Sequence, residues 1–526
     1  MKIAFVNDSC ERLGVGYISA LLKENGHHVR LFTDPQLFED ENVSFSILNR
    51  MFDYKNNIIA QLKEYKPDLI GISVVTDFYQ WACDMARLIK QNMDVPIMLG
   101  GIHPSSVPER VMQNDFVDMV CIGEGEFPML ELANSMDQGR IDHSIRNIWF
   151  KNNGNIIKNK VRPLIKDLDV LPFADKDIFH QASPHFLQCY YIMASRGCPN
   201  ACSYCCHSYL KKMYDVKEKY LRFRAVDNVI KELVLSKSKY DMKIVRFHDD
   251  DLMAASKQWL KSFSEFYVKK VKVPFTCFVH PATVTEEKAK YLAFAGCHDV
   301  EIGIQSVSEN TRRRIMNRNI SNLGIEKALS ILKNAGLKII TDNIVGMPGQ
   351  SEDETISMLK FYNRNRVMKT YCFGFRYYPK TEIIQQSKQK GLLGEKEIEA
   401  LEEGRDVEAF IRGGDGLTIQ MKQVQTYFSF LLYFPYNLNS FIIRNKLYRF
   451  FLPLPYFITV IFSNWLRIPY KYNWALHITI SRYYHFVFKK IIVFFSFSKA
   501  RTIIHQSGTK KNQSISMEQH NESSIC

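Results

Sequence analysis

Two long stretches of this chain alternate short apolar runs with amphipathic segments, and that alternation limits the fold more than any other feature. Over residues 1–137 the strand-like runs are Lys2–Asn7, His27–Phe32, Asp68–Val75, Pro96–Gly101 and Val117–Gly123. Helical spacing falls at Val15–Asn25, Phe78–Gln91, Pro104–Gln113 and Glu126–Ala133. Such a pattern predicts a parallel sheet with helices on both faces. Its ligands would bind at the carboxyl ends of the strands.

A second alternation runs from Tyr190 to about residue 400. Its strand candidates are Tyr190–Ala194, Ile244–His248, Phe275–Val279, Asp299–Ile304, Ile339–Val345 and Tyr371–Arg376. Helical patterns lie between them at Val226–Leu235, Ser256–Val268, Glu286–Ala295, Gly324–Asn334 and Glu352–Asn365. Repeated strand–helix units predict a barrel or part of one. The two stretches are separated by a polar segment broken by Gly154, Pro163, Pro172 and Pro184, with a small hairpin at Ile148–Lys160. The expected fold class is therefore α/β: a Rossmann-like, flavodoxin-type domain, a partial barrel, and a mostly helical C-terminal region.

Charge separates a third region from these two. The whole chain carries +14, but the segment from Gly416 to Cys526 carries +11 of it, which leaves the first 415 residues at +3. Basic patches on the folded domains are what a nucleic-acid-binding protein needs. A nearly neutral body excludes nucleic acid as the expected partner. At 46% hydrophobic and 24% charged, the chain has the composition of a folded protein.

Four of the 12 cysteines fall within nine residues, in Ala194-Ser195-Arg196-Gly197-Cys198-Pro199-Asn200-Ala201-Cys202-Ser203-Tyr204-Cys205-Cys206. No apolar run of signal-peptide length opens the chain. The expectation is a reducing, cytoplasmic setting in which these cysteines bind metal or react. Cys198, Cys202 and Cys205 stand as C-x3-C-x2-C just after a strand, so they lie in a loop at a strand's carboxyl end. Thiolates are the usual ligands of iron–sulfur clusters. Three cysteines leave one iron of a four-iron cluster open, and a reactive metal centre needs an open position. Structural zinc is the alternative, with Cys206 or His207 as fourth ligand, although adjacent residues rarely chelate one ion. Cys206 is otherwise expected to pack beside the motif.

This segment resembles the radical S-adenosylmethionine (SAM) superfamily, whose motif carries an aromatic residue before the last cysteine, here Tyr204. The resemblance implies that Cys198, Cys202 and Cys205 hold a [4Fe–4S] cluster. The open iron would bind SAM and cleave it to a 5′-deoxyadenosyl radical. The likeness continues for about 180 residues. Phe247-His248-Asp249-Asp250-Asp251 resembles the family's acidic second-strand end, with Asp250 the candidate contact and a solvated turn the alternative. Glu301-Ile302-Gly303-Ile304-Gln305-Ser306 resembles its fourth-strand segment, and Ile344-Val345-Gly346-Met347-Pro348-Gly349 its late turn. The implied cofactor contacts are Tyr204, Asp250, Gln305, Ser306 and Pro348. Gln350 stands where the family usually has Glu, and His280-Pro281 where relatives often have Arg-Pro.

Upstream, Gly71-Ile72-Ser73, Gly100-Gly101-Ile102-His103-Pro104 and Ile122-Gly123-Glu124-Gly125-Glu126 resemble the cobalamin (B12)-binding domain fused to one radical SAM subclass. That subclass includes the anaerobic magnesium-protoporphyrin monomethyl ester cyclases. The implied cofactor-lining residues are Ser73, Val75, Gly100, Gly101 and His103, with a loop histidine bonding backbone the alternative for His103. A plain nucleotide-binding or receiver-like domain is the alternative. Conventional cobalamin domains carry D-x-H-x-x-G; here the loop is Asp8-Ser9-Cys10-Glu11-Arg12-Leu13-Gly14 and has no histidine to ligate cobalt. Glu124 and Glu126 are read as helix-N-terminal acids, with catalytic carboxylates as the alternative.

The expected domains are 1–137 for cobalamin, a linker at 138–187, a radical SAM domain at 188–400, a basic aromatic region at 401–510 and a disordered end at 511–526. No acidic residue occurs from Gly416 to Met517, and 24 of those 102 residues are aromatic, against 13% of the whole chain. Aromatics at headgroup level and Lys/Arg against anionic lipid predict peripheral attachment through 416–510, on the inner face of the membrane. A packed helical cap and a true span are the alternatives. The uncharged runs Gln423–Ile443 and Phe450–Leu466 are interrupted by prolines and polar residues, short of a clean span. The function implied is cobalamin-dependent methylation of an unactivated carbon of a small, lipid-like molecule, with flavodoxin or ferredoxin as electron donor. Radical cyclisation and a non-catalytic cobalamin- and cluster-binding sensor are the alternatives.

Overall fold

The computed structural model describes residues 1–38, 46–183, 186, 189–214, 220–405, 419–454 and 477–488. The first five strands are β1 (Lys2–Asn7), β2 (His28–Thr33), β3 (Leu69–Ser73), β4 (Ile97–Gly100) and β5 (Met119–Cys121). Between and after them come α1 (Leu13–Glu24), α2 (Ser46–Met51), α3 (Lys55–Tyr65), α4 (Tyr79–Asn92), α5 (Ile102–Ser106), α6 (Pro108–Met112) and α7 (Glu126–Asp137). The strands pair in parallel in the order β2-β1-β3-β4-β5. Such strands are covered on both faces, which is why Ile3, Ala4, Phe5 and Val6 all lie inside. The chain runs one way from β1 to β2 and the other way to β3, which opens a crevice at the carboxyl edge. The helical run expected at Pro104–Gln113 forms as two pieces, α5 and α6, because Val107 precedes Pro108 and is held out of helical geometry.

The hairpin expected at Ile148–Lys160 forms as β6 (Ile148–Asn152) and β7 (Asn155–Ile157), and β6 adds antiparallel to β5. Helix α8 (Lys176–Ala182) then leads into the second half. There β8 (Tyr190–Ile192) is followed by a short antiparallel pair, β9 (Ser195–Arg196) and β10 (Arg222–Phe223), which brackets α9 (His207–Met213). After these come α10 (Val226–Lys239), β11 (Val245–Phe247), α11 (Lys257–Lys270), β12 (Phe275–Val279), α12 (Glu286–Ala295), β13 (Cys297–Gln305), α13 (Asn322–Asn334), β14 (Lys338–Val345), α14 (Glu352–Arg364) and β15 (Lys369–Gly374). The six main strands are all parallel, in the sequential order β8-β11-β12-β13-β14-β15. That order makes an open six-stranded barrel.

Alternation along the barrel strands divides core from lumen. Val245 and Phe247 join the core under the helices, while Arg246 and His248 point the other way. Arg246 Nη2 donates to Glu301 Oε2 at 2.7 Å. Above that pair the His248 ring lies 4.4 Å from Tyr191 and 6.1 Å from Phe278, centroid to centroid. The lumen therefore has a charged floor and aromatic walls.

Part of the C-terminal region is a packed cap. Helices Ile419–Leu431 and Tyr436–Arg444 lie on α14, with Tyr427, Phe428, Leu431, Ile442 and Ile443 buried. Arg366 donates to the carbonyls of Leu431, Leu432 and Phe434, which closes the turn before Pro435. The uncharged run Gln423–Ile443 is thus partly core, with Tyr436, Leu438 and Phe441 left exposed on its outer face. The second run, Phe450–Leu466, lies mostly outside the described residues, as does the segment expected to be disordered. Among the described residues no helix is long and apolar enough to cross a membrane.

Candidate active site

The two carboxyl edges face each other, and the cysteine loop sits between them. The loop after β9 carries Cys198, Cys202 and Cys205 and passes directly into α9. Cys202 is buried; Cys198 and Cys205 are half-buried. Ser203 docks the loop onto the barrel: its N–H donates to Met316 O at 3.0 Å, its hydroxyl donates to Ile315 O, and its carbonyl accepts from Ile383 N. The three sulfurs share one loop, although their ligand atoms do not all lie within 4.8 Å of one another.

Burial pushes the Cys198 thiol up to about 12. A hydrogen bond from Cys206, with the neighbouring His207, holds Cys205 below the ordinary thiol range despite its burial. Donor atoms of Cys205, Cys206 and His207 lie within 4.8 Å of one another. His207 is already engaged on both nitrogens, by the Tyr220 hydroxyl at 2.7 Å and by Asp250 at 2.9 Å. Burial works against a charged His207 ring, but the Asp250 bond outweighs it and raises the imidazole above its usual value.

The acidic strand end divides into three roles. Asp249 is buried, accepts from Ala194 N and the Ser195 hydroxyl, and is pushed up to about 6 by burial. Asp251 accepts from His280 N and Thr283 Oγ1 and is pushed up to about 7, again by burial. Asp250 is the one left exposed, facing His207 and the cysteine loop.

At the end of β13 the register slips between Gly303 and Gln305, and Gln305 takes φ +69°. A Cβ on Gly303 would stand 2.7 Å from the Gln305 side-chain Nε2, so glycine leaves room for that amide to fold back over the strand. Ser306 is buried, and its hydroxyl accepts from Ser308 N. In the late turn Gln350 Oε1 accepts from Gly346 N at 2.7 Å and Met347 N at 3.2 Å. Gln350 thus folds the turn around Pro348 without needing the family's Glu.

Sequence reasoning missed Arg318. Its guanidinium donates to Cys202 Sγ at 3.4 Å and to Gly303 O at 2.5 Å, joining the cysteine loop to β13. Arg318 Nε and His280 Nε2 are both buried without a hydrogen-bond partner. An orphaned donor on Arg318, whose guanidinium touches Cys202 Sγ, fits a polar ligand at that place. Only the preponderance of arginine in Arg312-Arg313-Arg314 and Arg318 signalled it beforehand.

In the first half Ser73 ends β3 and Gly100 ends β4, both half-buried at the crevice, and Val75 follows at the same level. Gly101 has φ +100°, and a Cβ there would lie 2.6 Å from Val74 O. It lets β4 close on β3. His103 is fully buried, stacked 4.0 Å from Tyr79 and bonded through Nδ1 to Thr76 Oγ1 at 3.2 Å. Burial holds its ring down to about 3, so it is neutral.

The halves meet along three edges. Tyr209 of α9 donates to Ile102 O at 2.9 Å, and Glu124 N donates to the Tyr214 hydroxyl at 3.1 Å. Asp77, after β3, pairs with Arg376 after β15. Glu11, after β1, pairs with the buried Lys176, whose ammonium also donates to Tyr191 O at 2.6 Å. The cysteine loop and the crevice are therefore neighbours by construction.

Residues 3–133 match the B12 binding domain family and residues 192–362 the radical SAM superfamily. An uncharacterised methyltransferase of Pyrococcus horikoshii is 27% identical over 385 residues, 72% of this chain and 79% of that protein. The anaerobic magnesium-protoporphyrin IX monomethyl ester cyclase of Rubrivivax gelatinosus is 23% identical over 66% of this chain, which spans 62% of the cyclase. Among solved structures, the radical SAM methyltransferase TsrM of Kitasatospora setae, with cobalamin and a [4Fe–4S] cluster bound, superposes with TM-score 0.58. It is 16% identical, over 74% of this chain and 75% of TsrM. The apo form of the cobalamin-dependent enzyme OxsB superposes with TM-score 0.61 over 92% of this chain and 71% of OxsB, also at 16% identity. The chain belongs to the radical SAM enzymes that carry an N-terminal B12-binding domain, and its cofactors are a [4Fe–4S] cluster, SAM and cobalamin. The chain is an enzyme of this class, and its relatives include a methyltransferase.

Proposed function

We propose that this enzyme methylates an unactivated carbon of an apolar small molecule. The observation that carries the reading is the seam itself: α9, continuous with the cysteine loop, touches the ends of β4 and β5 through Tyr209 and Tyr214. When bound, the cluster and SAM supply a hydrogen-abstracting radical and cobalamin supplies the methyl group. Cys198, Cys202 and Cys205 would hold the cluster; Ser73, Val75 and Gly100 would line the corrinoid crevice. Arg318 and His280 offer polar atoms toward SAM, and Asp250 orients His207 at the rim. Tyr191, His248, Phe278 and Phe373 give the substrate a largely apolar wall. A methyltransferase relative from Streptomyces wedmorensis, named for cytidylyl-2-hydroxyethylphosphonate, supports the reaction class at 22% identity.

Balanced, the reaction consumes two SAM and two electrons from a flavodoxin- or ferredoxin-like donor. It returns methylated substrate, S-adenosylhomocysteine, 5′-deoxyadenosine and methionine. The cyclase relative supports a second reading, radical cyclisation. Turnover of anaerobically reconstituted enzyme with candidate substrates separates them. Equal yields of S-adenosylhomocysteine and 5′-deoxyadenosine with a product heavier by one CH2 support methylation. Deoxyadenosine without homocysteine product would replace it with cyclisation.

A lipid-like substrate and peripheral membrane contact belong to the same proposal. They are supported by the acid-free residues 416–517 and by helix residues Ile480, Tyr484 and Phe488, at 49%, 67% and 49% exposure on one face. Flotation with anionic against neutral liposomes tests this: salt-sensitive flotation with anionic vesicles supports it, and none overturns it.

A further inference from the structure

A buried knot of four charges ties the end of β5 to the approach of the cysteine loop. Arg196, two residues before Cys198, donates to Glu124 Oε1 at 3.2 Å and to Glu126 Oε1 at 2.6 Å. Arg222, its neighbour across the β9–β10 pair, donates to both oxygens of Glu124, at 3.0 and 3.2 Å. Side-chain exposure is 14% for Glu124, 4% for Glu126, 15% for Arg196 and 8% for Arg222. Ile165 N donates to Glu124 Oε2 at 2.8 Å, which draws the linker into the same knot. Burial works to raise the Glu124 carboxyl, but Arg196 and Arg222 outweigh it and hold it below the usual carboxylate range. Alongside, Gly123 has φ +76°, and a Cβ there would meet the Tyr214 hydroxyl at 2.2 Å. No side chain fits between β5 and α9.

Apolar packing could join two domains as firmly, because buried ion pairs gain little net stability over well-packed hydrophobic residues. What two planar guanidinium groups on one carboxylate add is register: the fork accepts only one arrangement of the partners. Here the partners are the crevice edge on one side and the strand leading into the cysteine loop on the other. We propose that Glu124, with Glu126, Arg196 and Arg222, is a positioning residue that sets the distance and orientation between the cluster and the corrinoid. None of the four is assigned to touch substrate. The proposal rests on both cofactors being resident and not on which carbon receives the methyl group.

The test uses E124Q and E124D in the full chain, reconstituted with iron, sulfide and cobalamin. Iron and cobalamin are quantified first. Pulsed EPR then reads the relaxation enhancement between the reduced cluster and cob(II)alamin. S-adenosylhomocysteine and 5′-deoxyadenosine are measured from SAM with chemically reduced enzyme, which needs no identified substrate. For E124Q the expectation is wild-type iron and cobalamin, deoxyadenosine within about twofold, an altered or broadened magnetic interaction, and homocysteine product down on the order of a hundredfold, the scale of a 1 Å misplacement. E124D should recover most of that loss. Wild-type magnetic interaction with an unchanged product ratio in E124Q overturns the proposal. So does loss of cobalamin or iron, which would make Glu124 a folding residue. If E124Q does not fold, R222K, which keeps the charge but loses the two-pronged contact to Glu124, is expected to shift the magnetic interaction in the same sense; no shift overturns the proposal.

Discussion

The two α/β halves start their helices differently. In the barrel, Ser256, Thr285, Ser321 and Ser351 cap α11, α12, α13 and α14, each side chain accepting from a backbone N–H three residues on. In the first half the residues before α1, α4, α5 and α7 are Arg12, Phe78, Gly101 and Gly125, and none makes a side-chain cap. All of these helix starts follow strand ends, so the comparison is like for like. The barrel half has its own exceptions in α9 and α10, preceded by Cys206 and Ala225 and also uncapped. Hydroxyl caps thus mark the helices that follow β11 to β14, while the first half and the segment around the cysteine loop go without them. A side-chain cap satisfies one of the free amides at a helix start; without it the start stays available to other partners.

Each half can be broken without the other. C202A is expected to abolish the cluster's EPR signal and reduce SAM cleavage to background while cobalamin binding stays intact; loss of cobalamin as well would mean the halves do not load independently. G101A is the converse. A side chain at φ +100°, 2.6 Å from Val74 O, is expected to cost about 1–3 kcal/mol from strain alone, with a lower Tm and weaker cobalamin retention but unchanged iron content.

Two gentler changes sharpen the contrast within the barrel. Burial lifts the Asp251 carboxyl to about 7, whereas in the unfolded chain it ionises near the ordinary value of about 4. The folded state therefore keeps a proton that the unfolded state releases. Wild-type stability should fall as pH rises from about 4 to about 7, by at most about 1.4 kcal/mol per pH unit. Chemical denaturation of D251N across that range should show a flatter profile; an identical slope would remove Asp251 as its source. S321A, which deletes only a cap, should cost about 0.5–2 kcal/mol and leave both cofactor contents unchanged.

How much was legible in advance follows from range along the chain. Strands such as Phe275–Val279 and helices such as Glu286–Ala295 are local periodicities and stand where the sequence puts them. The C-x3-C-x2-C loop is equally local. Helix α3 was missed because Lys55–Tyr65 has a weak apolar stripe, with only Ile58, Ile59 and Leu62 buried. The contacts that assemble the site are long-range. Arg318 reaches Cys202 across 116 residues, and Arg222 reaches Glu124 across 98. Glu124 and Glu126, expected at a helix start, are there, but their partners come from the other half. The run Gln423–Ile443 looked like membrane-facing sequence because uncharged aromatic residues serve a buried cap equally well. Its polar residue Asn439 belongs to the cap, its amide fully buried among Leu431 O, Phe434 O and Asn363, while Tyr436, Leu438 and Phe441 of the same run stay exposed.

Ser203 bears on how the enzyme comes to hold iron. With its N–H, hydroxyl and carbonyl all spent on Met316, Ile315 and Ile383, the middle of the cysteine loop is fixed by protein contacts alone. In a zinc finger the metal supplies the folding energy, and the ligands come together only as it binds. Here the Ser203 contacts involve no cysteine sulfur, so C202A is expected to remove a ligand and leave the anchor of the loop in place.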